Sequence, residues 1–229
     1  MTPNWDAKTY DAVSDPQVEM ARPVLERLPL RGDETVLDAG CGSGRVTELL
    51  LDRLPRGRVI AVDADAAMVA QARERLGDRA EVVLQDLLEL TVPEPVEAVF
   101  STATFHWIPD HETLFARLRA ALKPGGRLVA QCGGHGNIAK VRAISGPGPW
   151  LYATAEETEA RLHAAGFRDV ATWLEPWPVV PPEPRTFLRT VCLRTIPDAE
   201  REAMVEEVLA ALGDPPTLDY VRLNISAVA

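Results

Sequence analysis

A glycine-rich turn that follows a short apolar segment is the strongest chemical signal in the chain. The segment Thr35–Ala39 has the pattern of a buried strand, contains Asp38, and leads into the run Gly40 to Gly44 before a helical pattern begins. Glycines in such a turn let the backbone approach a ligand closely. A carboxylate beside the turn repels a pyrophosphate, and Arg45 stands where the dinucleotide-binding fingerprint needs a glycine. The turn therefore favours a positively charged nucleoside ligand that carries no phosphate.

Two further acids follow the next two apolar runs. Asp63 ends the second run, where a carboxylate can accept hydrogen bonds from both hydroxyls of a ribose. Asp86 follows the third run and can accept a hydrogen bond from an adenine amino group. Met68 and Leu87 are apolar and could hold the base between them. Because parallel strands end at the same edge of a sheet, the acids are predicted to surround one ligand.

Short apolar runs alternate with amphipathic stretches over the first two thirds of the chain, which is typical of βα units around a parallel sheet. Strands are predicted at residues 35–39, 59–63, 81–84, 98–101 and 127–131. Helices are predicted at about 16–28, 46–54, 66–76 and 111–122, several of them after a capping aspartate or before glycine or proline. The first dozen residues are predicted to form a loose arm or a short helix.

The last third of the chain has a different pattern. A capping-box sequence that begins at Thr154 predicts a helix ending at Gly166. Further elements are predicted as strands at 167–174 and 218–225 and as a helix at 199–212. The prolines within residues 176–184 indicate a stiff, extended connection, and the stretches 133–137 and 145–150 are interpreted as flexible turns at the mouth of a pocket.

Length and composition fit one globular domain. The chain has 229 residues, of which 46% are hydrophobic, so it can bury a substantial core. We predict a single α/β domain over residues 1–229, with an N-terminal helical lid (1–30), a cofactor-binding core (31–132) and a substrate-side insert with the C-terminal strands (133–229).

The charge and the cysteine content indicate which partners, and which cell compartment, the sequence favours. The formal net charge of −10 argues against a nucleic-acid substrate, because clustered cations hold phosphate backbones. The three cysteines form no CxxC pair, which argues against a zinc site or a disulfide framework. No apolar run approaches the roughly 20 residues of a membrane helix, and the first ten residues lack a signal-peptide layout. We expect a cytoplasmic protein, and its arginine and proline content is typical of a GC-rich bacterial genome.

These motifs resemble those of the class I S-adenosylmethionine-dependent methyltransferases. The resemblance rests on the segment 38–44, on Asp63, on Asp86 and on the turn 122–126, and it covers about residues 5–132. It implies a doubly wound, mostly parallel, Rossmann-like sheet of seven strands, the last antiparallel, under a helical lid. It implies S-adenosyl-L-methionine as cofactor, S-adenosyl-L-homocysteine as its product, and no metal. The cofactor-binding residues that it implies are Tyr10, Asp38, Gly40, Cys41, Gly42, Gly44, Asp63, Ala64, Met68, Asp86, Leu87 and Thr102.

The run from His106 to His111 further resembles the small-molecule carboxyl methyltransferases, a group that includes trans-aconitate and juvenile hormone acid methyltransferases. By that resemblance Tyr10 lies over the sulfonium, and Gln17 and Trp107 donate N–H groups to a substrate carboxylate. His106, Trp107 and Gln17 are therefore the predicted catalytic residues, with His106 as a base if the acceptor is a hydroxyl or an amine. Water would be kept out by an aromatic lining of Trp5, Tyr10, Phe105 and Trp107.

The sequence does not identify the methyl acceptor, and it does not distinguish a monomer from a homodimer. A small molecule is the expected substrate, with no nucleic acid and no membrane as partner, and Arg142, Arg185 and Arg189 are candidates for an anionic tail. A protein of the same fold that binds the cofactor for isomerisation or ring closure is one alternative. An NAD-dependent reductase is another, although no tyrosine has a lysine four positions on.

Overall fold

The apolar runs assemble into one sheet of seven strands in the computed structural model, which describes residues 5–229. The strands are β1 Thr35–Ala39, β2 Arg58–Asp63, β3 Glu81–Leu84, β4 Val96–Thr102, β5 Leu122–Gly133, β6 Arg168–Pro176 and β7 Val221–Val228. Their order is β3-β2-β1-β4-β5-β7-β6. The neighbours from β3 to β5 are parallel, whereas β7 is antiparallel to both β5 and β6. The predicted mostly parallel seven-stranded sheet with an antiparallel last strand is confirmed.

Helices flank this sheet and connect its strands. They are α1 Ala7–Val13, α2 Asp15–Glu26, α3 Arg45–Asp52, α4 Ala66–Leu76, α5 His111–Ala121, α6 Ala139–Ser145, α7 Ala155–Ala164, α8 Pro184–Phe187 and α9 Asp198–Leu212. Single 3₁₀ turns cover Gly77–Arg79, Leu87–Glu89 and Phe105–Trp107, and Leu188–Cys192 forms a π-helical turn. The N-terminal arm is thus the short helix α1, and the Thr154 capping box opens α7 with both reciprocal hydrogen bonds present.

Several boundaries differ from the sequence-based expectation. β5 begins at Leu122 rather than 127, because Leu122 pairs with Val96 before a register shift. The last two strands end later than predicted: antiparallel pairing continues through Val228 in β7, and β6 extends to Pro176, which pairs with Val221. Helix α6, which was not predicted, lies between the two stretches interpreted as flexible turns and shares only Ser145 with them, and its buried Val141 anchors it to a helical cluster.

Apolar side chains cover both faces of the sheet. One cluster includes Leu37 and Leu128, and the other, on the opposite side, includes Val36 and Phe100. Alternate residues of β1 thus enter different clusters, as the twofold repeat of a strand requires. A third cluster joins α6 and α9 to the lid. No helix within residues 5–229 is both long and apolar enough to cross a bilayer.

The strand order fixes where a ligand can bind. The chain reverses its direction of winding between β1 and β4, and open α/β sheets bind ligands at the carboxyl edge beside such a reversal. Because β7 runs antiparallel, its first residues lie at that same edge. The register pairs Arg222 of β7 with Gly133, the last residue of β5.

Candidate active site

A cavity of about 580 Å³ opens at the carboxyl edge of the sheet, a size typical of small-molecule sites. It brings together all the predicted site residues except one. Those that line it are Tyr10, Gln17, Asp38, Gly40, Cys41, Gly42, Asp63, Ala64, Met68, Asp86, Leu87, Thr102, His106 and Trp107. Gly44 instead precedes α3 with a φ of 84°, and a Cβ there would lie 3.2 Å from Leu76. Its contribution is to the shape of the turn.

The glycine turn approaches β4 so closely that a side chain has no room. A Cβ at Gly40 would lie 2.2 Å from Thr104, and the φ of Gly40 is 86°. The Gly42 N–H donates to Asp63 Oδ2 at 2.9 Å. The second acid therefore holds the turn in place while its remaining lone pairs face the cavity.

Asp38 is the deepest acid of the site. It is buried, and its Oδ2 accepts a hydrogen bond from Thr47 Oγ1 at 2.7 Å. Burial raises the pKa of Asp38 to about 7, since no cation of the described residues forms an ion pair with it to offset the loss of water. A ligand ammonium group would supply the missing positive charge.

Asp63 and Asp86, which the resemblance assigned to the ribose and the adenine, both line the cavity after β2 and β3. Asp63 Oδ1 accepts from the Asp65 N–H at 2.9 Å, and burial raises the pKa of Asp63. Asp86 Oδ1 accepts from the Leu88 N–H at 2.9 Å and starts a 3₁₀ turn. Both carboxylates keep free acceptor sites, and buried Met68 and Leu87 provide the apolar surfaces for a base.

Cys41 shows none of the features of a reactive cysteine. It is buried, and burial raises the pKa of its thiol well above the usual value, with Asp38 and Asp63 adding to the effect. The thiol therefore stays protonated and serves as part of the turn. Within residues 5–229, no group of three or more His, Cys, Asp or Glu side chains is arranged to hold a metal ion.

Helix α1 closes one side of the cavity through charged contacts. Asp11 accepts hydrogen bonds from Ser43 Oγ and from Arg75 Nη2, each at 2.6 Å. Arg45 Nη1 donates to the Asp11 carbonyl at 2.8 Å, and its Nη2 donates to Asp15 at 2.6 Å. Arg45, which stands where the dinucleotide-binding fingerprint has a glycine, thus holds the N-terminal helices α1 and α2 beside the glycine turn.

The lid carries aromatic side chains over the cavity. Trp5 and Tyr10 both line it, with ring centroids 5.0 Å apart, and the backbone N–H of Trp5 donates to Asp65 Oδ2 at 3.1 Å. Burial, with Asp63 nearby, raises the pKa of Tyr10 to about 12, so its phenol is neutral. The predicted aromatic lining holds except for Phe105, which packs against Phe115 in the core.

His106 is buried at the end of the cavity away from the glycine turn. Its Nδ1 accepts the Gly133 N–H at 3.2 Å, which places the ring proton of the neutral imidazole on Nε2. Burial holds the pKa of His106 well below its usual range, and Arg222 lowers it further. This geometry favours an N–H donor and argues against the base that the sequence suggested.

Gln17 and Trp107 complete the set of predicted donors. Gln17 is buried, not solvent-facing, and its Oε1 has no hydrogen-bond partner in the described structure. Trp107 packs edge-on against Trp5 and Trp150, with centroids 5.6 Å apart in both pairs. The Oε1 of Gln17 is therefore free to accept a hydrogen bond from a ligand, whereas the sequence-based prediction gave the contact to its N–H group.

Arg222, which was not among the residues predicted from the sequence, lines the cavity near the start of β7. It is 3% exposed, and its Nε donates to Gln131 Oε1 at 3.3 Å. No carboxylate within residues 5–229 forms an ion pair with its guanidinium. Gln131 in turn donates to Asn224, so a buried polar network orients the cation. One signal was available: an arginine between apolar residues of a strand-like run, Val221-Arg222-Leu223.

The arginines named from the sequence lie elsewhere. Arg185 pairs with Glu206 and Arg189 with Glu202 on an exposed surface, so the expectation that they bind an anionic tail is not supported. Arg142 lies over the Tyr152 ring at 5.3 Å and donates to the Pro147 carbonyl, and it does not line the cavity.

Comparison with known proteins identifies the family. The family model described as "Methyltransferase domain" matches residues 36–126. The trans-aconitate 2-methyltransferase of Azoarcus sp. (strain BH72) is 38% identical over 149 residues, which are 65% of this chain and 58% of that protein. The trans-aconitate 2-methyltransferase of Paracidovorax citrulli (strain AAC00-1) is 35% identical over 179 residues, 76% of this chain and 68% of that protein. The chain belongs to the S-adenosylmethionine-dependent methyltransferases.

A solved structure agrees on the fold of this methyltransferase. The Haemonchus contortus phosphoethanolamine N-methyltransferase 2 in complex with S-adenosyl-L-methionine aligns with a TM-score of 0.71 and 20% identity, over 97% of this chain and 56% of that one. The chain spans only about 58% of the Azoarcus relative. The residues present fit the cofactor: Asp38 offers a buried, unpaired carboxylate to an ammonium group, and Gly40 allows close backbone approach.

Asp63 provides a test of the ribose position. We expect Asp63→Ala to weaken binding of S-adenosyl-L-homocysteine by about tenfold to a hundredfold, because each lost hydrogen bond to a charged acceptor contributes about 1.5–3 kcal/mol. Isothermal titration calorimetry measures the change, and Asp78→Ala, at an exposed acid outside the cavity, is the control. Unchanged affinity in Asp63→Ala would place the ribose elsewhere.

Asp38 provides a pH test. Since its pKa is raised from 3.8 to about 7, the folded protein keeps a proton that the unfolded chain has lost, and the free energy of unfolding falls as pH rises between those values. Asp38→Asn removes this term. We expect the variant to gain stability relative to the parent by up to about 1.4 kcal/mol per pH unit across that window. Urea unfolding without ligand, from about pH 4 to pH 8, measures this; a constant difference would contradict the assignment.

Proposed function

We propose that this methyltransferase transfers a methyl group from S-adenosyl-L-methionine to a carboxylate oxygen of a small organic acid. The observation that carries the proposal is the buried guanidinium of Arg222, which faces the cavity without a carboxylate partner. An arginine keeps its charge when buried, and an isolated buried charge costs several kcal/mol. An anionic ligand would offset that cost and match the planar guanidinium in shape.

The position of Arg222 supports the acceptor, and not the cofactor, as the source of this anion. β7 lies three strands from β1 in the sheet, which is about 14 Å at the usual strand spacing of about 4.8 Å. The glycine turn that receives the methionine part of the cofactor follows β1. Asp38, Asp63 and Asp86 lie at the cofactor end, so the cavity carries negative charge at one end and positive charge at the other.

A neutral donor beside Arg222 supports the same acceptor. The Nε2–H of His106 is available, and the register of β5 and β7 places Gly133, the partner of His106, next to Arg222. Arg222 and this N–H group would bind an anion, and neither can take a proton from a hydroxyl. A carboxylate needs no base, because it is already ionised.

The proposed reaction needs the protein mainly to position the acceptor oxygen beside the methyl group of the cofactor. When bound, S-adenosyl-L-methionine supplies a methyl group activated by the sulfonium, and its transfer leaves S-adenosyl-L-homocysteine and a methyl ester with no proton moved. Arg222 and His106 would hold the acceptor oxygen in line with that methyl group, and Trp5 and Trp107 would exclude water. Effective molarities of about 10⁵–10⁸ M for such alignment account for a large rate gain.

A labelling experiment tests the reaction. Incubation with methyl-tritiated cofactor and a panel of organic acids should give a product whose label is released as methanol by mild base, because methyl esters hydrolyse and N-methyl or C-methyl groups do not. Reactions without acid, and with the matching alcohols and amines, are the controls. Base-stable label would identify a different acceptor atom, and cofactor bound without turnover would favour the isomerase or cyclase alternative.

Arg222 variants test the anchor. We expect Arg222→Met to lower kcat/KM for the acid by at least about tenfold while the affinity for S-adenosyl-L-homocysteine stays unchanged, and Arg222→Lys to recover part of the loss. Arg127→Met, at an exposed arginine on the neighbouring strand, is the matched control. If Arg222→Met weakens binding of the homocysteine product instead, the guanidinium holds the cofactor carboxylate and the proposal fails.

A further inference from the structure

Aromatic rings form the walls around Arg222. The side chains that share this end of the cavity are His106, Trp107, Trp150, Tyr152 and Tyr220. Trp150 and Tyr152 stack with centroids 5.7 Å apart and an interplanar angle of 11°, and His106 stacks on Tyr152 at 5.7 Å and 29°. The stack holds these rings in place, and the side of Trp150 that Tyr152 does not cover is a flat apolar surface against which a flat ligand would bury the most area.

Within residues 5–229, Arg222 is the one cation lining the cavity whose guanidinium has no carboxylate partner. Arg45 is the other arginine that lines the cavity, and its guanidinium is occupied by Asp11, Ser14 and Asp15 of the lid. Arg194 lies against the Trp5 and Trp107 rings at 3.8 and 4.7 Å, and its Nε and Nη2 are buried without a partner. Those two nitrogens are therefore covered from the cavity.

The remaining polar groups near Arg222 are neutral, and two of them are bonded to each other or to the backbone. Asn137 Oδ1 accepts the Val221 N–H at 2.9 Å, and burial raises the pKa of the Tyr152 phenol, with Asn137 as its hydrogen-bond partner. A second or third carboxylate on the acceptor would lie among ring faces, whose negative π-electron density repels it. A buried charge without a partner strongly disfavours binding.

We infer that the acceptor is a monocarboxylic acid with a flat, apolar body, aromatic or conjugated, and not a polycarboxylate such as the trans-aconitate for which the relatives are named. The inference rests on the proposed function. The carboxylate would bind Arg222, and the ring would pack against Trp150 and Trp107, on the side of Trp150 that Tyr152 does not cover.

Competing acceptors test the inference on the unmodified protein. We expect kcat/KM for cinnamate or phenylacetate to exceed that for trans-aconitate by at least about tenfold, and cyclohexanecarboxylate, an apolar acid without a flat ring, to fall between them. A preference for trans-aconitate would overturn the inference and leave carboxyl methylation intact. Failure to methylate any acid, with the cofactor still bound, would overturn the proposed function itself.

A variant pair locates the ring. Trp150→Leu should raise KM for the aromatic acid by about threefold to tenfold and leave the affinity for S-adenosyl-L-homocysteine unchanged, because only a face contact to the acceptor is lost. Trp173→Leu, at an exposed tryptophan on β6 outside the cavity, is the matched control and should change neither value. A KM for the aromatic acid that does not move in Trp150→Leu would overturn the inference.

Discussion

The positive charge of the buried Arg222 guanidinium limits which ligands can bind favourably at the β7 side of the cavity of this methyltransferase. Arg222 has given up its hydration, is oriented by Gln131, and faces a cavity whose other end carries Asp38 and Asp63. The unpartnered charges at the two ends are opposite in sign and cannot neutralise one another across that distance. Each becomes favourable only beside a ligand of the opposite charge. The cavity is therefore complementary to a cation at the glycine turn and an anion at β7, and the proposed transfer to a carboxylate rests on this arrangement.

The sheet topology makes this arrangement possible. In a wholly parallel sheet, side chains reach a ligand from the ends of strands, as Asp63 does from β2. The antiparallel β7 runs in the opposite direction, so its first residues, and not its last, lie at that edge. Arg222, the second residue of β7, is therefore placed at the same edge of the sheet. The pairing of Gly133 with Arg222 then fixes His106 beside the cation, because the Gly133 N–H orients the imidazole. Backbone register, and not a local motif, assembles the acceptor site.

This difference explains what could be predicted from the sequence. The glycine turn, Asp38, Asp63 and Asp86 lie within continuous βα units, so local patterns located them and predicted the sheet. Arg222 is far from these residues in the chain, and the proton position on His106 depends on a hydrogen bond to a residue on another strand. Helix α6 was missed because its short sequence is held by tertiary packing of Val141 and not by its own capping. Contacts between distant segments have no signature in a single sequence.

Helix α1 has one further consequence. Its seven residues are too few to be a stable helix alone, so its order depends on the bonds of Asp11 to Ser43 and Arg75 and on Arg45. Opening this lid would break charged contacts that lie partly in water and are therefore screened by salt. A cofactor held beneath the helix would then dissociate at a rate that depends on ionic strength, whereas binding at Arg222, which is buried, would be screened less.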